Sequence, residues 1–226
     1  MAIARESYQT FESQDDPYNA SCTIPANTTC IVCVEAYYDD VAVTGVSLGV
    51  QNFTIDFEQT NAGGFDCCAL AHLFSPSSTG AQTISLNRDG TRPYGGTIYM
   101  LYYSGTDTSL RDTDSIQTGG SNTLTFSTQT GDMVVCGAGL DADPDWTNAT
   151  EINSNYYGSM YGSIAQCAAD GTSEAISLTN INTGWGGIVL QPAAGGGASS
   201  TPSSTLARGI AVGMFKGMGI GSGQYP

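Results

Sequence analysis

The residues best suited to chemistry form an acidic and aromatic stretch around position 145. Asp141, Asp143 and Asp145 alternate in the segment DADPDW, and carboxylate oxygens are the ligands that Ca²⁺ prefers. The EF-hand pattern fails, because Trp146 stands at the sixth position, where that loop needs glycine, and Ile152 at the twelfth, where it needs glutamate. The segment is therefore interpreted as a candidate surface Ca²⁺ site in a loop, without an EF-hand.

Four aromatic residues in and after this stretch predict a glycan-binding surface. They are Trp146, Tyr156, Tyr157 and Tyr161. Flat rings cover the apolar faces of sugars, while nearby carboxylates accept hydrogen bonds from sugar hydroxyls. The alternative interpretation is ordinary cross-strand packing, which is common for a tyrosine-rich strand.

Catalytic residues are scarce. The only histidine, His72, lies in CCALAHLF, where strand alternation places it on one face with Leu70 and Phe74. A single histidine among apolar residues is typical of a hydrogen-bonded structural residue. The chain also contains no G-x-S-x-G, H-E-x-x-H or P-loop pattern. We therefore expect no enzyme and no cofactor.

Two carboxylate pairs are the remaining candidates for acid–base chemistry. Asp39/Asp40 and Asp112/Asp114 lie among turn-forming residues and are interpreted as solvated turn formers. A secreted hydrolase on a concanavalin-like sandwich, with carboxylates brought together by the fold, is the corresponding alternative function.

The seven cysteines indicate buried small side chains more than metal ligands. Cys30, Cys33, Cys136 and Cys167 all lie in apolar runs. Cys30 and Cys33 have C-x-x-C spacing, but in a strand they point to opposite faces and no second pair completes a zinc set. The adjacent Cys67 and Cys68 are interpreted in the same way, with one inside and one outside.

Charge excludes several classes of partner. Among 226 residues, 6 Lys and Arg oppose 21 Asp and Glu, a formal net charge of -15. The six basic residues are scattered singly, so nucleic acid is not an expected partner. The acidic surface repels anionic membranes and keeps concentrated copies soluble. No secretory signal is legible in the first residues, which predicts synthesis in a cytoplasm.

Short β-branched and aromatic runs between turn residues predict an all-β fold without a long helix. Without helical crossovers, the options are an antiparallel two-sheet β-sandwich, a jelly roll or a barrel, and we predict a sandwich or jelly roll. The predicted strands are 27–38, 41–49, 53–60, 67–74, 81–88, 96–105, 122–128, 132–140, 156–168, 174–180 and 184–192.

Four segments of the chain, taken in their order, resemble a known kind of module. GTIYMLYYSGTDTSLRDTDS is followed by NTLTFSTQTGDMVVCGAG, a Gly/Tyr-rich stretch and GWGGIVLQPA. This order resembles a β-sandwich module of bacteriophage virion and tail-associated proteins and of bacterial surface proteins. The resemblance covers roughly residues 30–192. It implies a jelly-roll-like fold and a location on a virion, with synthesis in the host cytoplasm.

The C-terminal end predicts a tethered arm. Residues 1–192 form the predicted sandwich domain, and residues 193–204, AAGGGASSTPSS, form a predicted flexible linker. The tail, residues 205–226, has glycines at 209, 213, 217 and 221, too many for an isolated helix. It either stays disordered or docks on a partner as a helix or extended arm. The predicted partner-binding residues are Leu206, Ile210, Met214, Phe215 and Met218.

The tail is not expected to cross a membrane. Arg208 and Lys216 leave only seven uncharged residues between them, whereas a spanning helix needs about 20 apolar residues.

Three functions follow from these features. The first is a structural protein of a bacteriophage virion, a head decoration or a tail or fibre component, that assembles through its tail with other virion proteins and with copies of itself. The second is a glycan-binding or adhesion module on a virion or bacterial surface. The third is the hydrolase considered above.

Overall fold

Strands make up most of the described chain. The computed structural model describes residues 1–13, 17–37, 41–59, 67–90, 96–116, 122–140, 142–157, 160–179 and 184–194. These residues contain no helix and form 17 strands. The strands are β1 (Ala4–Ser13), β2 (Tyr18–Ile24), β3 (Cys30–Tyr37), β4 (Val43–Leu48), β5 (Gln51–Asn52), β6 (Thr54–Gln59), β7 (Cys67–Phe74), β8 (Gly80–Arg88), β9 (Gly96–Ser104), β10 (Thr106–Ile116), β11 (Thr123–Ser127), β12 (Met133–Leu140), β13 (Trp146–Thr147), β14 (Thr150–Tyr157), β15 (Met160–Ala168), β16 (Ser173–Leu178) and β17 (Trp185–Pro192).

The chain folds into two jelly-roll sandwiches with the same strand order. In the first sandwich, sheet 1 has the order β1-β9-β3-β7-β6 and sheet 2 the order β2-β8-β4-β5. In the second, sheet 3 has the order β10-β17-β12-β15-β14 and sheet 4 the order β11-β16-β13. Strands β1, β9, β3, β7 and β6 of sheet 1 correspond in turn to β10, β17, β12, β15 and β14 of sheet 3. The second sandwich therefore repeats the topology of the first.

Two β-bulges fix which residues correspond. The pairing of β1 with β9 shifts between Arg5 and Ser7, opposite Tyr103, and that of β10 with β17 shifts between Leu110 and Asp112, opposite Leu190. Tyr103 thus corresponds to Leu190. β-Bulges are conserved within protein families. Their occurrence at corresponding positions in the two sandwiches therefore indicates a duplicated unit.

The second bulge gives the same correspondence independently. It falls between Ile55 and Phe57 in β6 and between Glu151 and Asn153 in β14. When the residue pairs of β3 with β7 are matched to those of β12 with β15, Ala69 corresponds to Ser163.

The four sheets stack in the order 2, 1, 3, 4 around three apolar cores. Sheets 1 and 2 enclose the first core and sheets 3 and 4 the third, while sheets 1 and 3 pack against each other across the second. Sheets 1 and 3 are consequently covered on both faces over their middle strands. Their middle strands β3 and β12 are buried at every position, as the near-continuous apolar sequences CIVCVEAY and MVVCGAGL require.

The predicted all-β sandwich is confirmed, with one difference in number. The chain builds four sheets in two sandwiches, whereas the sequence indicated one pair of sheets. Most predicted strands lie within one to three residues of those observed. The segment predicted as one strand at 156–168 is a hairpin, made of the end of β14 and all of β15. The polar strands β1, β2 and β10 were not predicted, because β1 and β10 carry charged residues, and β2 carries Asn, Ser and Thr, in place of a clear apolar alternation.

The prediction of buried cysteines is confirmed for Cys30, Cys33 and Cys136 and is wrong for Cys167, which is only partly buried. Cys30 faces the second core and Cys33 the first, on opposite faces of β3. Cys136 is buried and Cys167 is half-buried. The structure describes only the backbone of Cys67. The linker from residue 195 and the tail, with its predicted partner-binding residues, lie outside the described residues.

Candidate functional site

The predicted aromatic residues gather where sheet 4 leaves sheet 3 uncovered. Sheet 4 has three strands, and its edge strand β13 pairs with β16 through only Trp146 and Thr147. The β14–β15 hairpin at the edge of sheet 3 therefore keeps part of its sheet 4 side open. We call Trp146, Tyr156 and Tyr161 the aromatic patch; Trp146 and Tyr161 both pack against the third core.

The two tyrosines of the patch form a cross-strand pair. Tyr156 on β14 lies opposite Tyr161 on β15, with ring centroids 4.9 Å apart and planes inclined by 55°. Tyr156 is 61% exposed, which leaves most of its ring open to a ligand. Tyr157, the fourth predicted residue, follows Tyr156 directly and so faces the other side of the strand. The structure therefore separates Tyr157 from the patch.

Trp146 is held by contacts at its ring and its nitrogen. Its ring meets Trp185 edge to face, with centroids 5.6 Å apart. Its Nε1 donates a hydrogen bond to the buried Ser163 Oγ at 2.8 Å. The orientation of the half-buried indole is thus fixed. Trp146 forms the inner side of the patch and does not present an open ring face to solvent.

A carboxylate completes the site. Ser163 Oγ lies 3.4 Å from Glu151 Oε2 and 3.5 Å from the Asn153 carbonyl oxygen, so its one proton is shared between these two acceptors. Together with the Trp146 Nε1 bond, this links Trp146, Ser163 and Glu151 across three strands. Partial burial raises the pKa of Glu151, the nearby Asp143 carboxylate raises it further, and the Ser163 hydrogen bond opposes both. Glu151 remains exposed on the same face of the β14–β15 hairpin as the Tyr156–Tyr161 pair, where its carboxylate can accept hydrogen bonds from a ligand.

The first sandwich has no such chain at the corresponding place. Ile55 stands where the second sandwich has Glu151, and Ala69 stands where it has Ser163. Ile55 and Ala69 line a small cavity together with Val46 and the buried Glu35. The jelly-roll fold is therefore stable with apolar residues at these positions. The polar chain in the second sandwich is an added feature that the fold does not require.

The candidate Ca²⁺ site is described only in part. Asp141 lies outside the described residues, while Asp143 and Asp145 are exposed. Within the described ranges, no group of three or more His, Cys, Asp or Glu side chains is arranged to hold a metal ion.

His72 is held in a buried pair. Its Nδ1 lies 2.8 Å from Asp56 Oδ2, and its ring centroid is 4.6 Å from that of Phe74. Asp56 is the extra residue of the β6 bulge, so the bulge directs its carboxylate to the histidine. Burial raises the pKa of Asp56, and the hydrogen bond from His72 opposes this effect. Both side chains are largely buried, as the structural interpretation of His72 predicts.

The carboxylates predicted in turns have other environments. Asp112 and Asp114 lie in strand β10, so their assignment to turns is wrong. Asp112 Oδ2 accepts a hydrogen bond from the Ser127 backbone amide at 2.7 Å and links β10 to β11. The Asp39/Asp40 pair lies outside the described residues.

Glu151 and Ser163 were not among the predicted site residues. Glu151 is an isolated acidic residue in TEINSNYY, and Ser163 is a small residue between apolar neighbours. No local pattern joins them, because the strand register and the β14 bulge alone bring them together.

Comparison with known proteins assigns no relative. The chain shows no significant match to a protein-family model, a curated protein or a solved structure. Nowhere in the described ranges is there a helix long and apolar enough to cross a membrane.

Proposed function

We propose that the protein is a non-enzymatic structural subunit of a bacteriophage virion, either a head decoration or a tail or fibre component. Its partners are other virion proteins and further copies of itself, and its C-terminal tail makes the attachment. The observation that carries the proposal is the pair of jelly-roll sandwiches joined back to back through a continuous apolar core. A body with three cores and both inner sheets covered is rigid, as a repeated building block must be.

The outer faces of the molecule support contacts with other subunits. Sheets 2 and 4 expose faces without charged residues, although the chain carries a net charge of -15. Uncharged faces allow acidic copies to approach without like-charge repulsion at the contact. The residues of these faces are Asn19, Ser21, Thr23, Ala81, Thr83, Ser85 and Asn87 on sheet 2, and Thr123, Thr125, Ser127, Ser173, Ala175 and Ser177 on sheet 4.

The charge of the tail supports its role as an arm. Arg208 and Lys216 are the only charged residues of segment 205–226, whereas the four basic and 21 acidic residues before it give a net charge of -17. A cationic, apolar segment on a flexible linker can attach to an acidic neighbour, because the tether keeps its effective concentration high. Buried thiols in both sandwiches fit folding in a reducing host cytoplasm before assembly.

Deletion of the tail tests this proposal. A chain ending at residue 204 should fold and remain soluble but fail to enter particles, as measured by mass spectrometry of purified virions. Two further variants separate apolar from charged contacts: serine at Leu206, Ile210, Met214, Phe215 and Met218, and serine at Arg208 and Lys216. Full incorporation of the deleted chain would contradict attachment through the tail, and absence of the intact chain from particles would contradict the virion assignment.

A second candidate function is glycan binding on a virion or bacterial surface. The aromatic patch favours it, because the exposed Tyr156 ring and the Glu151 carboxylate lie on the same face of the β14–β15 hairpin and supply the apolar and the polar contacts that a sugar needs.

A further inference from the structure

The aromatic patch and Glu151 together have the composition of a small ligand site. Tyr156 is among the few large apolar side chains that the described chain exposes, and its ring contacts that of Tyr161. Glu151 is connected through Ser163 to Trp146, so these hydrogen bonds hold the carboxylate in a fixed place relative to the indole ring. A site of this kind combines apolar surface with a few positioned polar groups.

The duplicated fold supplies an internal control. Where the second sandwich places Glu151 and Ser163, the first places Ile55 and Ala69, beside the buried Glu35 that pairs with Arg88. A buried serine and a partly desolvated carboxylate are less favourable in an apolar setting than the residues of the first sandwich. The two copies therefore differ in their polar groups here: the first pairs the buried Glu35 with Arg88 beside Ala69, whereas the second joins Trp146, Ser163 and Glu151, of which Glu151 is exposed to a ligand.

Charge around the patch restricts the ligand. Glu151 and Asp143 interact electrostatically, Asp145 is also exposed nearby in sequence, and the whole protein is acidic. An anionic sugar, such as a uronic acid or a sulfated residue, would meet like charges from several sides. A neutral sugar instead offers hydroxyl donors to the carboxylate and C–H faces to the rings.

We propose that Tyr156, Tyr161 and Glu151 form a binding site for a neutral saccharide, with Ser163 and Trp146 as positioning residues. The proposal rests on the second candidate function and names the class of ligand. One sugar unit packs on Tyr156, and hydroxyls of a neighbouring unit donate hydrogen bonds to the Glu151 carboxylate, because Glu151 lies opposite Ala165, four residues along β15 from Tyr161. Ser163 orients that carboxylate, and the Trp146 Nε1 hydrogen bond in turn holds the serine hydroxyl.

Binding of defined hexasaccharides to the purified full chain tests this site. The neutral probes are cellohexaose, maltohexaose, mannohexaose and N-acetylated chitohexaose, and the anionic probe is hexagalacturonate, each followed by saturation-transfer NMR and calorimetry. We expect at least one neutral probe to bind and the uronate not to bind. No neutral binding at concentrations up to about 10 mM, or equal binding of the uronate, would overturn the proposal.

Variants locate the binding. Tyr156→Ala should weaken affinity for the bound probe by about tenfold, because it removes the exposed stacking ring. Glu151→Gln should weaken it by about fivefold, because hydrogen bonds to a carboxylate are stronger than those to an amide. Tyr8→Ala is the matched control, since Tyr8 is a 40% exposed tyrosine on β1 in the first sandwich. Unchanged affinity in both site variants would overturn the assignment.

The pH dependence of binding tests the positioning role of Ser163 separately. Ser163→Ala should lower affinity and also shift the pH at which binding is lost, because it removes a hydrogen bond to Glu151. A lower affinity with an unchanged pH profile would overturn the role of Ser163. All these measurements use free protein, so a failure here leaves the particle-incorporation result of the tail deletion unaffected.

Discussion

Val34 packs into the space left by Gly137, the residue at the corresponding position of the duplicated unit. The two lie on the middle strands β3 and β12, where the sandwiches face each other, and a Cβ at Gly137 would collide with both γ carbons of Val34. Equivalent residues of a duplicated pair meet near the axis that relates the two copies. At this crossing only one of the two positions can hold a valine.

This relationship predicts the outcome of exchanging the two residues. Gly137→Val should destabilise the protein by about 1–3 kcal/mol or more, because overpacking forces sheets 1 and 3 apart. The double variant Val34→Gly with Gly137→Val should recover part of that loss, as measured by urea unfolding. A double variant less stable than Gly137→Val alone would contradict the close approach of these positions.

The chain from Trp146 to Glu151 predicts coupled effects on stability. Ser163→Ala leaves the Trp146 indole N–H without its acceptor and should cost about 1–2 kcal/mol. Trp146→Phe removes the donor as well, so adding it to Ser163→Ala should cost less than it does alone. A double-mutant cycle by chemical unfolding measures this coupling, and additive effects would show that the hydrogen bond contributes nothing.

The buried ion pair of the first sandwich predicts a strong single-residue effect. Arg88 on β8 donates to the Glu35 carboxylate on β3, and both side chains are buried. Arg88→Met should cost about 3–5 kcal/mol, because the Glu35 carboxylate stays buried without the guanidinium. Thermal unfolding measures the loss.

The corresponding strand of the second sandwich, β12, suggests a variant that removes the buried carboxylate as well. Ala138 occupies the position in β12 that Glu35 occupies in β3. Adding Glu35→Ala to Arg88→Met should therefore restore stability relative to Arg88→Met alone, and a further loss would contradict the explanation by buried charge.

Thiol reactivity should follow burial. Burial raises the pKa of Cys30, Cys33 and Cys136, whereas Cys167 is only half-buried. Only the thiolate reacts with a disulfide reagent. In a Cys67→Ser background at pH 8, we expect Cys167 to react first and these three thiols to react only after denaturant is added. Fast labelling of any of the three in the native protein would contradict the buried cores.

Saccharide binding should depend on pH through Glu151. The folded environment raises the pKa of this carboxyl above its ordinary value of 4.5, mainly by burial and then by Asp143. The carboxylate that accepts sugar hydroxyls is present above the raised pKa and is lost as the pH falls through it. Affinity for the bound neutral hexasaccharide should therefore fall at a higher pH than an ordinary glutamate would give. The Glu151→Gln variant should show no such step in calorimetric titrations across the same range.

The sequence by itself determined the class of fold and the position of most core strands. The apolar run MVVCGAGL predicts a central strand buried on both faces, and β12 is buried throughout. Alternation in TLTFS predicts a strand with one face in water, which β11 confirms. These predictions succeeded because each depends on neighbours within one strand.

The duplication and the candidate site were decided by the tertiary structure alone. The two sandwiches share strand order and bulge positions but differ in residue type at corresponding places, such as Ala69 and Ser163. No sequence period therefore revealed the repeat. Trp146, Glu151 and Ser163 lie on three strands, and only hydrogen-bonded register and sheet packing bring their polar atoms together. The residue pattern along a strand indicates which face of the sheet a side chain lies on. The partner of that side chain on the neighbouring strand depends on the strand register, which only the folded structure determines.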